Sequence, residues 1–185
     1  MKTQKNFSNA ILILALVFGA NIYAQKTVTV GGAPMYPTKN IVENAVNSKD
    51  HTTLVAAVKA GELVETLMSK GPFTVFAPTN AAFDKLPKGT VEALVQPENK
   101  ALLQGVLTYH VVAGKLDSKA IASAIKKGNG AAEFATVQGG KIWCKMDGKK
   151  LVITDEKGDK STVTIADVYQ SNGVIHVVDT VIMHN

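Results

Sequence analysis

The sequence has one cysteine, no arginine and no apolar run long enough to cross a membrane as a helix. Because Cys144 has no second cysteine to pair with, no disulfide forms within the chain, and stability has to come from the packed core. All 20 basic residues are lysine. Nucleic-acid readers usually depend on arginine forks and clustered basic faces, whereas these lysines are scattered. The sequence therefore predicts neither a disulfide-stapled scaffold nor a nucleic-acid-binding protein.

The first 24 residues are predicted to be a secretory signal peptide. Lys2 and Lys5 give a positive start, residues 10–20 form an apolar stretch, and Ala24 is the small residue before the predicted cut. The stretch is about half the roughly 20 residues that a membrane-spanning helix needs. Cys144 lies far from the cut, so no lipid-bearing N-terminal cysteine is predicted. We expect export to the periplasm, the cell surface or the medium, with no membrane span in the mature chain.

Beyond the leader, one α+β domain is predicted. Residues 25–39 are a lead-in, and residues 40–185 form the domain. Up to Lys126, apolar residues recur mostly at helical spacing, interrupted by the strand-like residues 73–77. Beyond Gly128, alternating apolar residues and glycine-containing turns indicate successive strands. Helices first and strands later predict helices packed on a compact sheet pair or barrel.

The last predicted strand, Val174 to Met183, is apolar on both faces. Val174 and Val178 lie on one face, and Ile175 and Val177 lie on the other. A strand that is apolar on both faces is predicted to be covered on both sides.

Three segments, in order, carry a resemblance to a known family. Each of them resembles a hallmark motif of the fasciclin domain. They are FTVFAPTNAAF (residues 73–83), LTYHVV (residues 107–112) and NGVIHVVDTVI (residues 172–182). The resemblance covers residues 40–184 and implies a wedge of two packed antiparallel sheets with several helices along one side. It also implies an extracellular or periplasmic binding module of adhesion, matrix or biofilm proteins rather than an enzyme.

Two histidines have the side chains best suited to catalysis. His110 and His176, with Tyr109 and Asp179, could serve acid–base chemistry or bind a metal. Their spacing matches no metal-binding pattern, and the sequence contains no Gly-x-Ser-x-Gly elbow for a nucleophile. We therefore predict no catalytic residue, no metal and no cofactor.

A structural role is predicted instead for His176, Asp179 and Thr79. His176 lies on the strand that is predicted to be buried, where a neutral imidazole can donate one hydrogen bond, accept another and fix neighbouring backbone. Asp179 interrupts an apolar face, so it has to reach water or accept hydrogen bonds. Thr79 is a candidate donor to it, or else only the cap of the helix that follows.

The resemblance implies two partner-binding sites. In animal members of the family, a Tyr-His pair is implicated in integrin binding, and here it is Tyr109-His110. A second implicated site is an aspartate followed by an aliphatic residue, which here is Asp167-Val168, with valine in place of the usual isoleucine. Packing is the alternative for all four residues, since aromatic and aliphatic side chains in such runs usually serve the core.

Trp143 is a further candidate for partner binding. By strand alternation it lies between Lys141 and Lys145 on the polar face, whereas Cys144 points inward as a small hydrophobic residue. An exposed tryptophan between lysines would suit a sugar or a protein surface. The alternative is that the lead-in covers it.

The function predicted from the sequence is therefore an exported, non-enzymatic binding module for cell adhesion, matrix or biofilm interactions. Its expected partner is a protein or polysaccharide at the cell exterior, and its oligomeric state stays open. The alternative is a periplasmic protein that binds a small ligand or a polysaccharide.

The predicted cleavage site gives a direct test. Protein recovered from the periplasm or the medium should begin at Gln25, because Ala24 ends the signal peptide. N-terminal sequencing together with intact mass measures this. An Ala24→Arg variant serves as the control and should remain uncut, and an exported chain that still begins at Met1 would contradict the prediction.

Overall fold

The structure, a computed structural model, describes residues 27–184. The predicted signal peptide and its cleavage site lie outside the described residues. Across residues 27–184, no helix is both long and apolar enough to cross a membrane. The predicted α+β class is confirmed, since helices dominate the first part of this range and strands the second.

The helices are short. They are α1 (Ile41–Ala45), α2 (Thr52–Ala60), α3 (Val64–Met68), α4 (Asn80–Phe83), α5 (Thr90–Leu94), α6 (Lys100–Tyr109) and α7 (Ser118–Lys127). Two 3-10 turns, Lys49–His51 and Pro97–Asn99, lead into α2 and α6.

Several helices begin at side-chain caps that the sequence supplies. Asn40 and Glu43 form a reciprocal capping box at α1. Thr79 caps α4 and Asp117 caps α7, each by accepting a hydrogen bond from a backbone N–H in the first turn. Because such a cap satisfies a donor that the helix itself leaves free, these starting points are determined locally.

The strands form two sheets. They are β1 (Val28–Val30), β2 (Ala33–Met35), β3 (Phe73–Pro78), β4 (Val111–Ala113), β5 (Ala132–Ala135), β6 (Lys141–Asp147), β7 (Lys150–Thr154), β8 (Lys160–Gln170) and β9 (Gly173–Val178). β1 and β2 make a hairpin, and the other strands form a seven-stranded sheet in the order β4-β3-β9-β8-β7-β6-β5.

One strand pair differs from the antiparallel pairing expected. β3 and β9 run parallel, with Phe73 opposite Gly173 and Pro78 opposite Val178. A tight turn can join only antiparallel neighbours, whereas a long connection permits either direction. The long excursion between β3 and β9 through α4–α7 and β4–β8 therefore allows this parallel pair.

The lead-in is part of the fold. Its hairpin packs against α1 and β8, and Val30 and Met35 are buried in the core beneath the helices. Burial of these two side chains stabilises the hairpin by an amount on the order of a few kcal/mol.

The sheet separates two apolar cores. Leu54, Val106 and Ile175 belong to the core shared with α1, α2 and α6, whereas Ile121 and Ile153 belong to the core beneath α7. β9 lies near the middle of the sheet, and every one of its residues is buried. The prediction of a last strand covered on both sides is confirmed, although β9 ends at Val178 rather than at Met183.

The close approach of β9 to β3 leads to a prediction for Gly173. A Cβ atom at this position would lie 2.1 Å from the carbonyl oxygen of Phe73. Since overpacking costs about 1–3 kcal/mol, Gly173→Ala should lower the free energy of unfolding by at least roughly 2 kcal/mol in urea titrations.

Gly105→Ala is the matched control for this substitution. The atoms nearest to its added methyl group belong to the ring of His184, with the closest at 3.0 Å, and a side chain moves more easily than backbone. A Gly173→Ala protein as stable as the wild type would contradict the close approach.

Candidate functional site

Tyr109 lies at the end of α6 with its side chain fully buried. Its hydroxyl group donates to the carbonyl oxygen of Lys141 at 2.6 Å and accepts from the N–H of Glu156 at 3.1 Å. Burial raises the pKa of Tyr109 to about 12, so the phenol stays protonated and can donate. Through these two hydrogen bonds, Tyr109 connects the end of α6 to the start of β6 and to the β7–β8 turn.

His110 follows Tyr109 and is buried as well. Its Nδ1 atom lies 2.8 Å from the carbonyl oxygen of Val106, and its Nε2 atom accepts from the N–H of Ile182 at 3.1 Å. The ring is thus neutral, with the proton on Nδ1. Burial lowers the pKa of His110 to about 4, although the Val106 carbonyl and Asp155 act in the opposite direction. His110 holds the segment after β9 against the end of α6.

Asp167 and Val168 lie at an irregularity in β8. Asp167 has a φ of 60°, in the left-handed region, and the register of β8 on β9 shifts between Ile165 and Val168. The carboxylate of Asp167 accepts from the N–H of Ser118 at 2.7 Å and from its hydroxyl group at 2.5 Å. Val168 is buried against the core. The irregularity thus places the carboxylate of Asp167 within hydrogen-bonding distance of the first turn of α7.

His176 lies in the middle of β9 and is completely buried. Its Nε2 atom donates to the carbonyl oxygen of Leu116 at 2.8 Å, and its Nδ1 atom accepts from the N–H of Asp167 at 3.4 Å. The ring stacks on Phe76 with the ring centres 5.6 Å apart. Burial lowers the pKa of His176, which keeps Nδ1 free to accept. His176 joins β9 to the segment before α7 and to β8.

Exposure corrects part of the partner-binding prediction. Tyr109, His110 and Val168 are 0 %, 3 % and 1 % exposed, so these three side chains belong to the core, as the packing alternative expected, and offer no surface to a partner in this structure. The physical reason is that α6 ends against the sheet and Val168 faces the core, where the packing alternative applies. Asp167 is half-buried and both its carboxylate oxygens already accept hydrogen bonds.

Thr79 and Asp179 make separate contacts. The Thr79 hydroxyl accepts from the first turn of α4, as the cap alternative expected. Asp179 Oδ1 accepts from the N–H of Thr162 at 2.8 Å and from the hydroxyl of Thr180 at 3.1 Å. The donor to Asp179 is therefore Thr180 rather than Thr79, and Lys85 lies 3.9 Å from the other carboxylate oxygen.

Trp143 lies half-buried in the middle of β6. It is directly opposite Glu133 of β5 and Thr154 of β7, and both flanking lysines, Lys141 and Lys145, are exposed. Lys141 also pairs with Glu133 at 2.9 Å. The lead-in hairpin packs on α1 and β8, as described above. These five residues form an outward surface that we call the tryptophan face.

Asn172 is a connecting residue that the sequence did not reveal. It is buried, its Oδ1 atom accepts from the N–H of Ile41, and its Nδ2 atom donates to the carbonyl oxygens of Leu67 and Ser69. In the sequence, Asn172-Gly173 has only the pattern of a turn. The sequence did contain one indication, because an asparagine beside a run of buried residues needs hydrogen-bond partners for its side-chain amide.

Asp155 was also missed. Its Oδ1 atom accepts from the N–H groups of Lys157 and Asp159, and its Oδ2 atom accepts from the N–H of Met183. An Asp-x-x-Gly turn was the sequence signal for the first two bonds, but nothing local indicated the third.

The buried side chains together form a set of connections between backbone segments. His110 and His176 each use both ring nitrogens on backbone groups. Among residues 27–184, no group of three or more His, Cys, Asp or Glu side chains could hold a metal ion. Cys144 is buried, and burial raises the pKa of its thiol to about 12, which disfavours the reactive thiolate.

The buried histidines predict that stability falls as the pH drops below about 6.5. The pKa of His110 is about 4 in the folded protein and 6.5 when exposed, so the unfolded chain binds a proton in this interval and the folded chain does not. The linkage of His110 alone should lower the free energy of unfolding by on the order of 3 kcal/mol as the pH falls from about 6.5 to about 4. The pKa values of His51 and His176 are lowered too, so they act in the same direction.

Urea titrations at pH 7, 6 and 5 measure this loss. His110→Gln is the control, because it keeps a polar side chain but does not titrate, and its stability should fall less over the same interval. A wild-type free energy of unfolding that is equal at pH 7 and pH 5 would contradict the prediction.

Comparison with known proteins places the chain in a family. Residues 49–184 match the model of the fasciclin domain. The Synechocystis protein sll1483 is 48% identical over 160 residues, which are 86% of this chain and 81% of that protein. The cell surface glycolipoprotein MPB83 of Mycobacterium bovis is 30% identical over 171 residues, which are 89% of this chain and 70% of that protein.

A solved structure supports the same fold. It is the FAS1 domain pair of the insect cell adhesion molecule fasciclin I, which is similar with a TM-score of 0.70 at 17% identity. The match covers 78% of this chain and 51% of that chain. From the family match and these likenesses, the chain belongs to the fasciclin domain family.

Proposed function

We propose that this chain is an exported, non-enzymatic binding module for cell adhesion, matrix or biofilm interactions. The observation that carries the proposal is the fasciclin domain match over residues 49–184. One relative is a cell surface glycolipoprotein, and the similar solved structure comes from a cell adhesion molecule. The predicted signal peptide supports export.

The fixed hydrogen bonds of the histidines support a non-enzymatic role. A general base has to reach the proton that it removes from a substrate. His110 and His176 are buried, and their nitrogens are engaged with Val106, Ile182, Leu116 and Asp167. A substrate would have to displace backbone hydrogen bonds to reach them.

The tryptophan face is the partner-binding surface that we propose. Trp143 offers a flat apolar surface, and the exposed Lys141 and Lys145 flank it on the same side of β6. Tryptophan is enriched where protein surfaces bind partners, since its ring buries a large area at a small cost in conformational entropy. The rigid strands β5, β6 and β7 hold this surface in place.

A polysaccharide partner is the second candidate, and the lysines favour it. Lys145 would attract carboxylate or sulfate groups while Trp143 stacks on a sugar ring, and Lys141 could do so in exchange for its ion pair with Glu133. The net charge of the full chain is +5, and it is +3 once Lys2 and Lys5 leave with the predicted signal peptide, so the mature chain is still cationic. Binding of this kind should weaken as salt is added, whereas stacking alone should not.

Replacement of Trp143 tests the proposed surface. Trp143→Ala should reduce attachment of cells or biofilm to the level of a strain that lacks the gene, because the contact area is lost while the core stays intact. Met146→Ala is the matched control, since Met146 is exposed on the same strand but lies on the other face. Circular dichroism of both variants checks the fold.

Two outcomes would contradict the proposal at different levels. Attachment that is unchanged after deletion of the whole gene would overturn the adhesive function. A deletion effect that Trp143→Ala does not reproduce would overturn only the assignment to the tryptophan face.

A further inference from the structure

An apolar cavity lies between α1, α2, α3 and the sheet. Its volume is about 110 Å³. Ile41, Leu54 and Val58 line it from the helices, and Val75 and Val177 line it from β3 and β9. An apolar cavity of about 150 Å³ stays dry and takes up benzene, so this smaller cavity has room for no more than one ring.

The cavity is covered on one side by α3. None of the residues of α3 is fully buried, although Val64 and Leu67 line the cavity. Local opening is easiest where few apolar side chains are buried. Displacement of α3 would therefore admit a small molecule, at the cost of the two hydrogen bonds from the Asn172 amide to the carbonyl oxygens of Leu67 and Ser69.

The cavity also contains an unusual polar group. Ser48 and His51 both line it, both are 3 % exposed, and Ser48 Oγ lies 2.8 Å from His51 Nδ1. The other ring nitrogen, His51 Nε2, is buried and has no hydrogen-bond partner among the described residues. The carbonyl of Ala77 lies near the ring and raises its pKa as a weak acceptor, but the contact falls short of full hydrogen-bond geometry.

A buried nitrogen without a full hydrogen bond is costly, and none of the polar side chains that line the cavity bonds to it. His110 also lines the cavity, but both its nitrogens bind backbone groups. Water is a poor occupant, because it needs two to four polar partners in a cavity. An apolar molecule with one hydroxyl group suits the cavity better, since a hydroxyl can donate or accept and so matches either tautomer of His51.

We propose that this cavity binds a small hydroxylated apolar molecule with one six-membered ring, whose hydroxyl group bonds His51 Nε2. The site is separate from the tryptophan face, so it does not depend on the proposed adhesive function. α1, α2 and the sheet supply the apolar walls, α3 is the cover, and His51 selects the hydroxyl group.

Phenol and benzene are the matched probes, because they differ by the hydroxyl group alone. Each is titrated into the isotope-labelled intact chain and followed by NMR. Both should bind, with saturable shift changes confined to α1, α2, α3 and the strands beneath them. Phenol should bind roughly two- to tenfold more tightly, which is the range expected for one hydrogen bond. The Nε2 resonance of His51 should move with phenol and stay in place with benzene.

Variants assign the binding to the cavity. Ala45→Leu fills it from α1 and should abolish binding of both probes. Ala56→Leu makes the same change on the exposed side of α2, outside the lining, and should leave both affinities unchanged. His51→Leu should keep benzene binding and remove the preference for phenol. If this variant does not fold, the His51 resonance in the wild type decides the same point.

Three results would overturn the proposal. They are no saturable binding up to the solubility limit, equal affinity for phenol and benzene, and binding that persists in a folded Ala45→Leu protein.

Discussion

The covering of β9 on both faces is the constraint on which the rest of the structure depends. All of its residues are buried, β3 and β8 pair with its two edges, and helices lie over its sides. A strand in this position has no water to satisfy its polar groups, so each one has to find a partner within the protein. The pairing with β3 and β8 satisfies its backbone, and His176 then links the strand to the segments around it.

The need to satisfy buried polar groups also explains why the side chains best suited to catalysis have structural roles here. Tyr109, His110, His176 and Asp167 are each placed where a backbone donor or acceptor would otherwise lack a partner. A buried histidine can meet one donor and one acceptor at once, provided that it stays neutral. Burial ensures this by lowering the pKa of the ring, and the result is a fold whose stability depends on pH. The partner-binding surface that we propose is accordingly on the outside of the sheet, and the cavity beneath α3 is a separate feature.

Much of the fold was predictable because it depends on local signals. The caps at Thr79 and Asp117, the turn at Asn172-Gly173 and the alternation in the last strand are all read from neighbouring residues. The burial of Tyr109, His110 and Val168 could not be predicted in this way, because the exposure of a side chain depends on which distant element covers it. The contacts of Asn172 with Ile41 and Leu67 were missed for the same reason, since they join residues far apart in the chain.

The sequence alone determined the α+β class, a last strand covered on both faces and membership of the fasciclin domain family, and it predicts export. These properties follow from periodicity, capping residues and short ordered motifs, which act over a few residues. Only the tertiary structure decided that β3 and β9 run parallel, that Trp143 stays half-exposed beside its lysines, and that His51 lies in an apolar cavity. Each of these depends on how segments distant in the chain pack together, because burial and unsatisfied hydrogen bonds exist only once the surrounding elements are in place.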